Sequence, residues 1–173
     1  MLTMGQFSMI DAVSYCIDQV GPSAISIWCW ASARFDVDRF AAMRRDGRVI
    51  SGLLMIDQSF RVKGGGERVP ILNAWSDAFG HRSIRYLRTH AKMATIEGGG
   101  CKLLVRGSLN LNHNDRWENL DISEGGEPFD LVRAQELSFP FCEIDAPAHE
   151  IYAASGLGKA AKLDAFRGLT SWK

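Results

Sequence analysis

Two short apolar runs, SAISIWCWASA and RVISGLLMID, flank a single helical segment, and this feature constrains the fold more than any other. Both runs are rich in Ile, Leu, Val or Trp without strict alternation, as expected of strands buried on both faces of a parallel sheet. Between them VDRFAAMRRDG reads as a helix, with Asp36 as its cap and Gly47 as its stop. Ahead of the first run, Met9, Ile10, Val13, Ile17 and Val20 recur at three- and four-residue steps until Gly21-Pro22, which predicts a helix from Ser8 to Val20. Helix, strand, helix, strand predicts an α/β fold, a mixed sheet flanked by helices.

The next segment, SFRVKGGGERVP, is Gly-rich and charged and reads as a loop, followed by a helix around ILNAWSDAFG. Gly64, Gly65 and Gly66 lack the preceding strand and following Lys-Ser/Thr of a phosphate-binding P-loop. SIRYLRT, HAKMATIEG and KLLVRGS are strand-like, the last two separated by Gly98, Gly99 and Gly100 as in a hairpin. WENLDI reads as one more strand, and PFDLVRAQELSFPFCEI as a closing helix from near Pro128 to before Pro140. At 173 residues the chain is expected to be one domain, residues 1–145. A C-terminal extension, residues 146–173, is expected to pack on the domain or on a partner, with KAAKLDAFRGL as a short amphipathic helix.

Lys plus Arg and Asp plus Glu both number 20, so the net charge is zero and any phosphate binding must come from a local patch. No apolar run approaches the roughly 20 residues of a membrane span, and the N-terminal stretch carries Asp11 and Asp18 where a secretory signal would be apolar. The expectation is a cytoplasmic protein with no membrane partner. Cys16, Cys29, Cys101 and Cys142 form no C-x-x-C pair and read as reduced, mostly buried thiols.

The segment from His90 to Glu118 carries the chemistry. On a strand, His90 and Lys92 project to one side. Ser108 and Asn110 follow on the next run at the same spacing, so a hairpin would gather all four groups at one end of a sheet. An imidazole, an ammonium and two neutral hydrogen-bonding groups suit a tetrahedral phosphate.

His90-Ala-Lys92, then Glu97, then Gly107-Ser108-Leu109-Asn110 resembles the H-x-K-x4-D and G-S-x-N signature of the phospholipase D superfamily. The order of elements before it matches as well, so the resemblance covers roughly residues 8 to 140, and it implies a phospholipase D-like fold. Glu97 replaces the usual Asp, whose role the resemblance makes structural. The interval to Gly107 is longer than usual, as if GGGC widened the hairpin. The family's acid beyond G-S-x-N, which orients or protonates the catalytic histidine, is matched by Glu118, with Asp121 as second choice.

The resemblance further implies a two-step phosphoryl transfer through a phosphohistidine on His90, without metal or other cofactor. The mechanism uses two imidazoles and this chain has one H-x-K, since His81, His113 and His149 lack Lys two residues on and read as surface or structural histidines. The second imidazole would come from another copy of the chain in a homodimer. Arg82, Arg85 and Arg88 either line a substrate groove or form a solvated strand face. Trp28, Trp30 and Trp75 read as core. Small single-motif members are mostly nucleases, so the expected activity is cleavage of DNA or RNA. The alternatives are a non-catalytic nucleic-acid-binding or regulatory protein on the same fold, and a phospholipase or phosphatidyl transferase.

Overall fold

The computed structural model describes residues 1–111 and 115–156; the segment KAAKLDAFRGL and His113 lie outside them. Among the described residues, helix α1 (Met9–Val20), strand β2 (Ser23–Cys29), helix α2 (Arg34–Arg45) and strand β3 (Val49–Asp57) follow strand β1 (Leu2–Met4). Next come α3 (Gln58–Gly64), a 3-10 turn (Gly65–Arg68), α4 (Val69–Phe79), β4 (Ile84–Leu87), β5 (Lys92–Gly98), β6 (Cys101–Gly107) and β7 (Trp117–Glu124). Helices α5 (Gly126–Ser138) and α6 (Ala148–Gly156) close the chain's described part. The strands form one mixed sheet in the order β1-β7-β6-β5-β2-β3-β4, so the protein is α/β with helices on both faces.

Among the described residues, only β2-β3 and β3-β4 pair in parallel, and every other pairing is antiparallel. The run expected to be a central parallel strand is therefore central but hybrid: β2 runs parallel to β3 on one side and antiparallel to β5 on the other. Residues Ile25, Ile27, Leu54, Ile56, Ala94, Ile96 and Val105 face a large core shared with α1, α2, α4 and α6. The opposite face is covered by α5 and Phe139, which pack on Trp28, Met55 and Leu87. Ile151 and Ala154 of α6 belong to the large core, so the residues immediately beyond 145 help to seal it.

Several local expectations change, each for an identifiable reason. Helix α2 begins at Arg34, and Asp36 is not its cap but its third residue, whose carboxylate accepts the Ala33 N–H at 2.8 Å. SFRVKGGGERVP is not a loop: Asp57 accepts the Ser59 N–H at 2.8 Å and caps α3, while Phe60 is buried in the core. GGGC does not widen the hairpin. Gly99 and Gly100, at φ 57 and 81, make a tight two-residue turn, and β5 and β6 pair without interruption from Gly98↔Cys101 to Lys92↔Gly107. Strand β1, unread in the sequence, pairs with β7 at the far edge.

Beneath α5, the fully buried Glu136 accepts from Trp28 Nε1 at 2.8 Å, Thr95 Oγ1 at 3.1 Å and Arg133 at 2.5 Å. Removing the carboxylate would strand two donors of the sheet, Trp28 and Thr95, and release Arg133 of α5. Glu136→Ala is expected to cost roughly 3 kcal/mol in urea unfolding, from a broken buried charge pair and an orphaned indole N–H. A loss below about 1 kcal/mol would show that the network is not a mainstay of this face.

Candidate active site

The ends of six strands converge at one edge of the sheet. The carboxyl ends of β2, β3, β4 and β6 lie beside the amino ends of β5 and β7, as the pairs Cys29↔Ile56, Asp57↔Leu87, Trp28↔Met93, Lys92↔Gly107 and Gly107↔Leu120 show. Parallel pairing gives way to antiparallel pairing at the β2-β5 seam.

His90 sits just before this edge, two residues ahead of the expected strand face, because β5 starts only at Lys92. Two amides that would otherwise extend the ladder are taken by side chains: Thr89 N–H donates to Asp57 Oδ2 at 2.8 Å, and Ala91 N–H to Thr89 Oγ1 at 3.0 Å. The turn still places the His90 imidazole beside Lys92, with Nδ1 3.5 Å from Nζ. His90 is exposed and Lys92 half-buried, so the charge borders solvent without being fully screened by it.

Lys92 pairs with Gly107, which brings the start of Gly107-Ser108-Leu109-Asn110 alongside it. Glycine is required at 107 by close packing: a Cβ there would lie 2.1 Å from the Asn119 carbonyl oxygen. Ser108 N–H donates to Asn119 O at 3.1 Å and Ser108 Oγ accepts the Asn119 N–H at 3.0 Å, which fixes the side chain and leaves its O–H proton to donate. The Asn110 carbonyl takes the Met9 N–H at 3.0 Å, one of the unpaired amides at the start of α1. Buried Leu109 and Leu111 anchor the segment in the core.

Glu118 lies on β7 opposite Thr3 and shares the sheet face of Leu120, which pairs with Gly107. Register therefore puts Glu118 on the Lys92 face at the same sheet edge. Asp121, the second choice, points to the other face and pairs with Arg106 at 2.8 Å.

The remaining candidates lie elsewhere. Glu97 is exposed at the hairpin end of β5, opposite Lys102 and Ala24. Arg82 and Arg85 flank the Phe141 ring near the start of β4, and Arg85 donates to the carbonyls of Phe139, Arg82 and Ile84. Burial, and then the charge of Arg82, lowers the Arg85 pKa. Arg88 alone of the three follows β4 at the His90 edge, where it is exposed. His81 contacts Glu143 at 3.1 Å and His149 is on the surface.

One participant escaped the sequence. Trp30 is not core: it is 52% exposed, and its ring lies 5.7 Å from that of His90. Its position just past a buried strand, at a carboxyl end, was the available signal. No protein-family model matches the chain, and no curated protein matches it.

The proximity of Trp30 to His90 gives a binding assay independent of turnover. Titrating tungstate, a phosphate analogue, is expected to change tryptophan emission saturably in the wild type and to lose that response in Lys92→Ala. In Trp30→Phe the emission change should vanish while calorimetry still detects binding. A response undiminished by Lys92→Ala would place the oxyanion elsewhere.

Proposed function

We propose that the protein is a metal-independent phosphodiesterase of phospholipase D type, a DNA or RNA nuclease whose site is completed by a second copy of the chain. The observation that carries this reading is the pair at the strand ends, His90 3.5 Å from Lys92, with Lys92 in register with Gly107, the residue before Ser108. A nitrogen nucleophile, a fixed positive charge and an oriented hydroxyl are the groups that an in-line attack on a phosphodiester requires.

In the first step a His90 ring nitrogen attacks phosphorus, the bond to one ester oxygen breaks, and the partner's imidazole protonates the departing alcohol. In the second, that imidazole takes a proton from water, whose oxygen displaces His90 and regenerates the free ring. Lys92, which has no carboxylate partner among the described residues, offsets the charge gathering on the non-bridging oxygens. The unbroken β5-β6 register supports retained chemistry over a binding-only role, since the longer interval leaves the motif aligned.

The test is cleavage of plasmid, single-stranded DNA, RNA and bis-p-nitrophenyl phosphate in excess EDTA. Wild-type turnover is expected to persist, and His90→Ala to lose on the order of 10³-fold or more. Mixing wild type with excess His90→Ala under subunit exchange should depress activity beyond dilution. Rescue by magnesium after EDTA inactivation, or activity that tracks the wild-type chain count alone, would overturn the mechanism. Binding of nucleic acid without cleavage would favour the non-catalytic reading, and cleavage confined to phospholipid vesicles the lipid one.

A further inference from the structure

Beside His90, an open cleft of about 310 Å³ is lined by Trp30, Ser59, Phe60, Lys63 and Arg68, residues of the β2-α2 connection, α3 and the 3-10 turn. Its composition is specific. The Trp30 ring is half-exposed, and Lys63 and Arg68 are exposed cations with no carboxylate within ion-pairing distance among the described residues. Arg68 lies over the Phe60 ring, 5.1 Å from its centroid, which holds the guanidinium in the cleft without neutralising it. None of the lining residues is acidic.

The cleft and the His90 turn are mechanically one unit. Asp57 Oδ1 accepts from the Ser59 N–H and hydroxyl at 2.8 and 2.5 Å, and its Oδ2 accepts from Thr89 N–H at 2.8 Å. One carboxylate thus ties the first turn of α3 to the residue before His90, while Trp30 touches both the cleft and the imidazole.

From this arrangement we infer that the Trp30-Lys63-Arg68 cleft is a subsite for single-stranded nucleic acid next to the scissile phosphate, with a base stacked on Trp30 and the adjoining phosphates held by Lys63 and Arg68. This rests on the nuclease reading and narrows it to unpaired strands. An exposed indole can stack only on a base whose face is free, and in a duplex both faces are covered by neighbouring pairs. Two unpaired cations beside an aromatic platform are the groups that follow a single-stranded backbone without reading its sequence.

The experiment measures binding of fluorescein-labelled oligothymidylate, and of a hairpin duplex of equal charge, to the full chain carrying His90→Ala so that no cleavage intervenes. Single strand is expected to bind at least about 10-fold more tightly than duplex, since only it can stack. Adding Trp30→Ala should weaken single-strand binding on the order of 5- to 150-fold, and Trp30→Phe should restore most of it. Lys63→Ala with Arg68→Ala should reduce the salt slope of log K by about 1.4, roughly 0.7 per lost phosphate contact. Equal binding of duplex and single strand, or a salt slope unchanged in the double variant, would overturn the subsite. Hydrolysis of bis-p-nitrophenyl phosphate by the wild type reports separately on the nuclease reading. Its absence beside intact strand preference would refute that reading and uphold the cleft, and its presence beside indifferent binding would do the reverse.

Discussion

The Asp57 carboxylate, at the end of β3, holds the candidate site together. It is 9% exposed and spends one oxygen on the first turn of α3 and the other on Thr89 N–H. Without it the start of α3 would lose its cap, and the turn before β5 would lose the bond that stops the ladder ahead of His90. The position of the imidazole depends on that interruption. A ladder continued through residue 90 would carry His90 along the strand, whereas the turn sets it beside Trp30 as well as Lys92.

The sheet supplies the rest by its mixed pairing. Parallel strands β2, β3 and β4 deliver their carboxyl ends to one edge, and the antiparallel β5-β6 hairpin returns Lys92 and Gly107 to that same edge. A wholly parallel sheet would have separated Lys92 from Gly107 by a crossover, because adjacent parallel strands cannot be joined by a two-residue turn. The large core under one face and the Glu136 network under the other clamp the strands from both sides, so the edge groups sit on a rigid platform.

Much of this was legible in the chain. Helix α1 announced itself through period and stop signals, and β2 and β3 through uninterrupted apolar runs, because their burial is decided by side chains alone. The pairing of Lys92 with the Gly-Ser-x-Asn segment was legible in outline, yet the turn type decided the register, and three consecutive glycines do not say which two of them form the turn. Helix α3 was hidden because its glycines and charges look like loop composition, while its cap, Asp57, also serves as the last residue of a strand. Trp30 was hidden because a tryptophan next to a buried run resembles its buried neighbour Trp28, and only the end of β2 at Cys29 separates the two environments. Arg82 and Arg85, which the sequence left open between a substrate groove and a strand face, are directed by β4 toward the Phe141 ring.

The proposed mechanism requires a ring nitrogen of His90 to bond to phosphorus during turnover. Rapid denaturing quench of the protein during incubation with a 32P-labelled oligonucleotide, followed by peptide mapping, addresses it directly. The predicted result is label bound covalently to the peptide containing His90, stable in base, labile in acid, and lost when His90 is replaced. Efficient cleavage with no label on that peptide at any quench time, or label on a different residue, would contradict it.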